Sequence, residues 1–220
     1  MIVTKIERQK KNPGRYSIFV DGTFAFGLGS AALLRSGLRE GDDLTEEGLG
    51  RLRADGELDA ARTAAARYAG RRRRTEHEIR AKLSSLSFPP PAIESAIEAL
   101  RAAGLADDRA YVRAFIHDAE LHRPAGGRLI ISRLRGKGIP PGVLEEEIAA
   151  ALGPDEEARL AERSASRYLP ALERRAPKRR DFLPGEREAL MRRYLAGRGF
   201  SGTAIDAAVR SVLRGRHDEG

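Results

Sequence analysis

Five apolar residues recur three times along this chain at constant internal spacing. The second copy lies 51 residues after the first, and the third lies 61 residues after the second. The three copies are Ile79, Leu83, Phe88, Ile93 and Ile97; Ile130, Leu134, Ile139, Leu144 and Ile148; and Met191, Leu195, Phe200, Ile205 and Val209. Self-similarity with a period of about 50 residues is typical of repeat architectures, in which each unit is one supersecondary motif. The sequence therefore predicts a tandem array of three related modules.

Each copy predicts two short helices separated by a break. The first two residues of a copy are four apart, and so are the last two, which places each pair on one face of a helix. Proline or glycine occurs in every break, and proline can begin a helix but cannot continue one. The apolar residue in the break (Phe88, Ile139 or Phe200) is interpreted as a plug between the two helices. Thr75 and Glu78 match a capping box at the start of the first pair.

A longer helix is predicted before each pair, at residues 58–70, 108–121 and 155–173. Each module therefore contains three helices, with Leu83, Leu134 and Leu195 expected in the core. The third module carries an additional polar stretch, residues 174–184, for which we expect a mobile loop. The polar tail at 214–220 is expected to fray.

The first 28 residues favour β-structure. Residues 2–6, 16–20 and 23–26 predict three strands, and Asp21-Gly22 between the last two predicts a hairpin turn. Two short helices are expected to follow, at residues 30–36 and 45–54.

The predicted fold class is mostly α, with tandem three-helix repeats forming an elongated curved array and a small β-meander at the N-terminus. We expect a β-rich extension with short helices at residues 1–57. The three repeats are expected at 58–107, 108–153 and 154–215.

Several classes of chemistry find no support in this sequence. The chain contains no cysteine, which excludes disulfides, cysteine zinc sites and cysteine nucleophiles. The start lacks the apolar core of a signal peptide and no apolar run approaches a membrane span, so we expect a cytoplasmic protein. The four histidines lack metal-ligand spacing, and no catalytic set is recognisable. We therefore expect neither an enzyme nor a metal or other cofactor.

Three motifs allow both a chemical and a structural interpretation. Residues 27–32 match the GxGxxA fingerprint of dinucleotide folds, but the following sequence predicts helices and no second parallel strand. A turn and helix entry is therefore favoured there. Asp107 and Asp108 precede a predicted helix, where aspartate is favoured as a cap. The three glutamates at 145–147 are interpreted as solvated surface.

Positive charge is concentrated in the repeats. Residues 1–59 contain 9 Lys/Arg and 10 Asp/Glu, whereas residues 60–220 contain 31 and 22. This asymmetry favours a polyanionic partner, nucleic acid first, although solvated helix faces would give the same composition. Basic residues recur on or beside the middle helix of each module. They are Arg71, Arg72, Arg73, Arg74, Arg80 and Lys82; Arg128, Arg133, Arg135 and Lys137; and Arg192, Arg193 and Arg198. Because equivalent elements of stacked repeats line one surface, these residues predict a continuous basic track.

Three short motifs occur in order along the repeats. Residues 71–83 read RRRRTEHEIRAKL, residues 104–108 read GLADD, and residues 134–139 read LRGKGI. These resemble the R-x-R-[ST]-E-x-E-[LI]-x-x-K-L, GL-[IL]-x-D and L-x-x-K-G-[IV] motifs of the RecX family, regulatory proteins that bind RecA filaments. The resemblance covers about residues 58–215, and the β-rich start looks like the extension that some members carry.

The resemblance implies a protein without enzymatic activity that modulates RecA. It implies binding of RecA protein and of the RecA–DNA filament within the filament groove, most directly as an inhibitor of filament growth and strand exchange. Weak direct contact with single- or double-stranded DNA, no membrane partner and a monomeric state are also expected. The alternative is a sequence-specific helix-turn-helix DNA-binding regulator, since short helices with Gly/Pro turns also fit that class.

Overall fold

The computed structural model describes residues 1–10, 12–175 and 185–214. The chain divides into two units, Met1–Asp107 and Asp108–Gly220. Within the described residues, unit 1 contains β1 (Val3–Arg8), β2 (Arg15–Val20), β3 (Thr23–Gly29), α1 (Ser30–Ser36), α2 (Glu46–Ala69), α3 (Glu76–Ser85) and α4 (Pro90–Ala102). Unit 2 contains α5 (Asp108–His122), α6 (Gly127–Arg135), α7 (Pro141–Ala151), α8 (Pro154–Arg175), α9 (Glu186–Gly197) and α10 (Gly202–Arg214). The prediction of a mostly helical chain with a small N-terminal sheet is confirmed.

The sheet is an antiparallel meander with the strand order β1-β2-β3. Asp21 has a φ of 48° and Gly22 a φ of 79°, as a type I′ hairpin turn requires at both central positions. Ile18 and Leu28 on the inner face are fully buried. The glycine motif at residues 27–32 spans the end of β3 and the start of α1, in agreement with its interpretation as a helix entry.

The separate helices predicted at 45–54 and 58–70 are wrong, because α2 is one continuous helix. Gly56, at the expected interruption, lies inside it and is buried. A Cβ at this position would overlap the carbonyl oxygen of Gly27 in β3. The glycine therefore permits a close approach of helix and sheet rather than a helix end. Consequently, α2 packs against the sheet with its first half, through residues such as Leu52, and against α3 and α4 with its second half.

Three bundles follow one another along the chain, each with its own apolar core. The first bundle is α2–α4, the second is α5–α7 and the third is α8–α10. Of the fifteen residues in the repeated pattern, all are buried except Phe88, which is half-buried. Leu83, Leu134 and Leu195 are at most 1% exposed, which confirms the register of the three copies. The capping box of Thr75 and Glu78 is also confirmed.

Each bundle turns between its last two helices through a residue in the left-handed conformation. The φ angles are 59° at Ser87, 69° at Gly138 and 80° at Gly199. These residues directly precede the plug residue of each copy. The backbone requirement is thus repeated together with the apolar pattern, although the first copy meets it with serine.

The expectation that residues 145–147 form a solvated face is wrong for one of the three glutamates. Glu147 is 8% exposed and lies between two arginines of α5. Arg109 donates to its Oε1 at 3.0 Å, and Arg113 donates to both carboxylate oxygens at 3.1 Å. Arg109 also pairs with the exposed Glu146. Burial of Glu147 is tolerated because its charge is paired and hydrogen-bonded.

No helix in the described ranges combines the length and apolar character that a membrane span requires. The loop expected at 174–184 is wrong for its first two residues, because α8 continues to Arg175, and Arg214 of the expected tail ends α10. Residues 176–184 and 215–220 lie outside the described residues.

Candidate functional site

The arginine run before α3 divides into an exposed part and a packed part. Arg71, Arg72 and Arg73 are exposed, whereas Arg74 is half-buried. The Arg74 guanidinium lies 4.1 Å from the ring centroid of Tyr68 and 4.0 Å from the Glu78 carboxylate. Stacking on an aromatic ring together with an ion pair holds this side chain against its own bundle. Of the four arginines, the first three are the ones available to a partner.

On α3 the two basic candidates differ in the same way. Arg80 makes a bidentate pair with Glu94 of α4, with N–O distances of 2.8 and 2.9 Å. The hydrogen bond to Glu94 raises the pKa of Arg80, and the reciprocal bond lowers the pKa of Glu94. A bidentate pair neutralises both partners and fixes their geometry. Lys82 is exposed on the same helix.

The basic residues of α6 have two different positions. Arg128 donates from Nη2 to the Phe200 carbonyl oxygen at 2.8 Å, which links the second bundle to the third. Arg133 and Arg135, in the last turn of α6, are exposed. Lys137, just beyond the helix, is half-buried. Arg128 is exposed too, but its guanidinium is bound to the Phe200 carbonyl, so Arg133 and Arg135 are the pair that we consider for contact with a partner.

On α9, Arg192 is bound to carboxylates from two helices. It pairs with Glu188 at 2.8 Å and with Asp206 of α10. Hydrogen bonds to Asp206 and Glu188 raise the pKa of Arg192. Arg193, the next residue, is exposed.

The last candidate, Arg198, belongs to a group of arginines around the end of α5. Arg198 donates from Nε to the Pro124 carbonyl at 3.0 Å. Two arginines of α8 act similarly: Arg163 reaches the Glu120 carbonyl at 3.2 Å, and Arg167 reaches the His122 carbonyl at 2.9 Å. The last carbonyls of a helix lack intrahelical partners and carry partial negative charge. The arginine cap of α5, comprising Arg163, Arg167 and Arg198, therefore joins the third bundle to the second.

The backbone approach at this junction is very close. Gly126 donates its amide to the Arg198 carbonyl at 3.0 Å. A Cβ on Gly126 would overlap the carbonyl of Gly199, and a Cβ on Gly199 would overlap the backbone of Leu129. Arg128 and Arg198 thus have structural partners here, which the spacing of basic residues did not indicate.

The carbonyl acceptors of the arginine cap are neutral and therefore do not offset its positive charge. Burial lowers the pKa of Arg198, and the neighbouring cations Arg133 and Arg123 lower it further. Two members of the cap, Arg163 and Arg167, were missed in the sequence, although they lie four apart on a predicted helix. Positive charge is therefore concentrated in unit 2 where Arg198 lies near Arg123 and the exposed Arg133.

Twelve of the thirteen candidates separate by their surroundings, and half-buried Lys137 belongs to neither group. Arg74, Arg80, Arg128, Arg192 and Arg198 are held by aromatic, carboxylate or carbonyl groups of the chain itself. The exposed set contains the exposed candidates that are not held in this way: Arg71, Arg72, Arg73, Lys82, Arg133, Arg135 and Arg193. The exposed set occurs in all three bundles. Exposed basic side chains of this kind can bind phosphates or acidic side chains through charge and hydrogen bonds.

Comparison with known proteins gives two family matches in this chain. Residues 1–45 match the regulatory protein RecX N-terminal domain, and residues 61–100 match the first three-helix domain of RecX. These segments correspond to the sheet with α1 and to most of the first bundle.

Two solved structures resemble the whole fold or a large part of it. A crystal structure of regulatory protein RecX has a TM-score of 0.71 and 27% identity, and the match covers 97% of this chain and 98% of that one. The crystal structure of RecX from Lactobacillus salivarius has a TM-score of 0.62 at 20% identity. It covers 72% of this chain and 97% of that one, and at this identity it supports the fold alone.

Curated relatives agree with these matches. Regulatory protein RecX of Limosilactobacillus reuteri (strain DSM 20016) is 28% identical over 204 residues, covering 93% of this chain and 74% of the relative. Regulatory protein RecX of Clostridium botulinum (strain Alaska E43 / Type E3) is 30% identical over 147 residues, covering 67% of this chain and 68% of the relative. The chain belongs to the RecX family of regulatory proteins.

Proposed function

We propose that this chain binds RecA and RecA–DNA filaments and inhibits their ATPase and recombinase activities in DNA repair and homologous recombination. It acts in the cytoplasm as a monomer, without a cofactor and without catalysis of its own. Family membership supports the regulatory role. The observation that carries the choice of surface is the exposed set of basic residues, which recurs in each bundle beside arginines that are fixed by the fold.

A repeated basic surface fits a filament for a physical reason. A RecA–DNA filament presents the same subunit surface and the same phosphates again and again along its axis. Modules that each bind weakly gain affinity when they are linked, because the second contact forms at a high effective concentration. The extended array and the division into an extension and three repeats, as the sequence predicts them, are part of this proposal.

Within the basic track, we assign the contact to the exposed set rather than to all thirteen residues. A guanidinium that already forms a bidentate pair, as Arg80 does with Glu94, contributes little net charge to a partner. Arg133 and Arg135 are exposed, and the cap arginine Arg198 adds positive charge beside Arg133. Charge of this kind accelerates association and is screened by salt.

The test uses preformed RecA filaments on single-stranded DNA. Wild-type protein is added and ATP hydrolysis is followed, with a decrease expected. The double reversal Arg133→Glu with Arg135→Glu should weaken this effect while leaving the melting temperature unchanged, because exposed charges contribute little to folding. The weakening should be largest at low salt. If the two arginines bind phosphates of the single strand, the slope of affinity against salt should fall by about 0.7 for each phosphate that the variant no longer binds.

The matched control reverses two other exposed arginines of unit 2, Arg187→Glu with Arg210→Glu. It makes the same change in net charge and should affect filaments much less. If both double variants are equally weak, only net charge matters and the assigned surface is wrong. If the first variant acts like wild type, contact by Arg133 and Arg135 is ruled out. Tight binding to one duplex sequence without RecA would instead support the helix-turn-helix regulator.

A further inference from the structure

Phe88 departs from the repeated apolar pattern in a way that points to a second binding surface. Its counterparts Ile139 and Phe200 are buried within their bundles, whereas Phe88 is half-buried. The free part of its ring lines a cavity between the first bundle and the sheet of unit 1. Phe24, whose side chain is unusually exposed for phenylalanine at 58%, lines the same cavity. Two accessible aromatic rings from distant parts of the sequence thus lie around one opening.

The cavity has room for one large side chain. Its volume is about 260 Å³, and Phe26, Gly56 and Ala60 form part of its wall. Sites for drug-sized molecules are usually larger, about 300–1,000 Å³. Aromatic side chains that fill small apolar pockets are the residues that most often dominate protein interfaces.

Charge around the opening favours a negatively charged partner. Arg15 and Arg53 both line the cavity. Their hydrogen-bond acceptors are backbone carbonyls, Gly27 at 3.0 Å and Ala25 at 3.2 Å. Neutral acceptors leave the guanidinium charges uncompensated. Glu57 is the single carboxylate among the described residues that line the cavity, so the rim carries a net positive charge.

The same contacts argue against binding by strand addition. β3 is an edge strand of the sheet, and edge strands can accept a further strand from a partner. Here the carbonyls of Ala25 and Gly27 already accept from arginines, and Gly56 of α2 packs directly on the Gly27 carbonyl. A side chain of the partner can instead insert between the rings of Phe24 and Phe88. The cavity, with these two rings at its opening, is called the groove below.

We propose that this groove binds an acidic peptide segment of a partner protein through one inserted aromatic or large aliphatic side chain. The inserted side chain packs between Phe24 and Phe88, and flanking carboxylates pair with Arg15 and Arg53. Phe88 is left incompletely buried because the partner completes its burial. The groove is separate from the exposed set of basic residues, and the proposal stands whether or not those residues bind a filament.

The test titrates the 220-residue chain, labelled with ¹⁵N, with a pentapeptide that has one phenylalanine flanked by two aspartates on each side. Saturable shifts are expected for the amides of Phe24, Gly27 and Phe88. Phe24→Ala should weaken binding about tenfold, which corresponds to about 1.4 kcal/mol of binding free energy from the anchor. The Phe24 ring is largely exposed and packs edge-to-face on Phe19, with 6.0 Å between the ring centroids, so its removal should lower the melting temperature only slightly. Arg53→Gln keeps a hydrogen-bond donor and should weaken binding through charge alone.

A variant with the opposite expected sign makes the test independent of damage to the fold. Glu57→Gln removes the one carboxylate at the rim and should tighten binding of the acidic peptide. Leu34→Ala is the matched control, because Leu34 is 86% exposed on α1 and does not line the cavity. It should bind like wild type.

Three results would overturn the proposal. One is an absence of saturable shifts at millimolar peptide. Another is equal binding of peptides with alanine in place of phenylalanine or lysine in place of aspartate. The third is displacement of the peptide by oligothymidylate with shifts at the same amides, which would identify the groove as a site for stacked bases instead. None of these outcomes depends on RecA, so the result is distinguishable from failure of the filament model.

Discussion

The breaks of the first and third bundles have the same local conformation but different surroundings. Ser87 and Gly199 are both in the left-handed region, with φ angles of 59° and 80°. Ser87 is exposed and Phe88 lines an open groove. Gly199 is buried against the backbone of Leu129, and Phe200 is fully buried. One break ends at a cavity, and the other forms the junction between two bundles.

This difference shows which constraints are local and which come from neighbours. The chain reversal between two short helices requires a left-handed residue in every copy. Whether that residue must also lack a side chain depends on what packs against it. In the third copy a bundle packs there and only glycine fits. In the first copy serine is tolerated at a conformational cost.

The largest expected effect compares the two plugs. Phe200→Ala should destabilise the protein by about 3–5 kcal/mol, because it empties a fully buried site. Phe88→Ala should cost about 2 kcal/mol or less, since part of the ring is already in solvent. Chemical unfolding monitored by circular dichroism measures both. Equal losses of stability would show that Phe88 is as deeply packed in solution as Phe200, which would remove the reason for the groove proposal.

The second effect tests the close approach at Gly199. Gly199→Ala should cost about 2–4 kcal/mol, from overpacking against Leu129 together with left-handed strain. Gly104→Ala is the control, because Gly104 has a φ of 68° and open space around it. It should cost about 1 kcal/mol from strain alone. If the two variants unfold at the same denaturant concentration, the bundles do not meet at Gly199 as described.

A third and smaller effect concerns the arginine cap of α5. Arg198→Met retains much of the aliphatic packing but removes the donors to the carbonyls at Arg123 and Pro124. We expect a decrease in stability of about 1–2 kcal/mol, since charged donors to partly buried carbonyls are stronger than average. Arg193→Met, at an exposed position of the same bundle, should change the stability little. Similar values for both variants would mean that the cap is not formed in solution.

The regular part of the fold could be predicted because its causes are local in sequence. The apolar spacing located the cores, Thr75 and Glu78 located a helix start, and Asp21-Gly22 located the hairpin. Each of these signals is contained within a few residues. The continuity of α2 was missed because the use of Gly56 depends on a strand that lies far away in sequence.

The candidate site was predicted less well, because the partners of its arginines also lie far away in sequence. Sequence shows where arginines are, but their acceptors in the structure are often backbone carbonyls, which every residue carries. Arg128 and Arg198 bond to carbonyls 72 and 74 residues away. No spacing rule distinguishes such an arginine from exposed Arg133. The groove was missed too, because its two rings, Phe24 and Phe88, come together only when the sheet packs on α2.

The smallest expected effect tests the cost of serine in the first break. Ser87→Gly should stabilise the protein by about 0.5–1 kcal/mol, because glycine adopts positive φ without strain and part of that gain is offset by unfolded-state entropy. The site suits the test because Ser87 is exposed and because glycine retains the hydrogen bond that the amide of residue 87 donates to the Ser84 carbonyl at 2.9 Å. Chemical unfolding of the variant and of the wild type, measured side by side, gives the sign of the change in unfolding free energy.

The control for this prediction lies three residues earlier in the same segment. Ser84→Gly, at an exposed position within α3, should destabilise by about 0.5 kcal/mol, because glycine is a poor helix residue. Opposite signs from the same substitution, separated by three positions, can arise only from different backbone conformations. Destabilisation in both variants would place Ser87 outside the left-handed region. The equivalence of Ser87 with Gly138 and Gly199 would then fail, and with it the common turn of the three bundles.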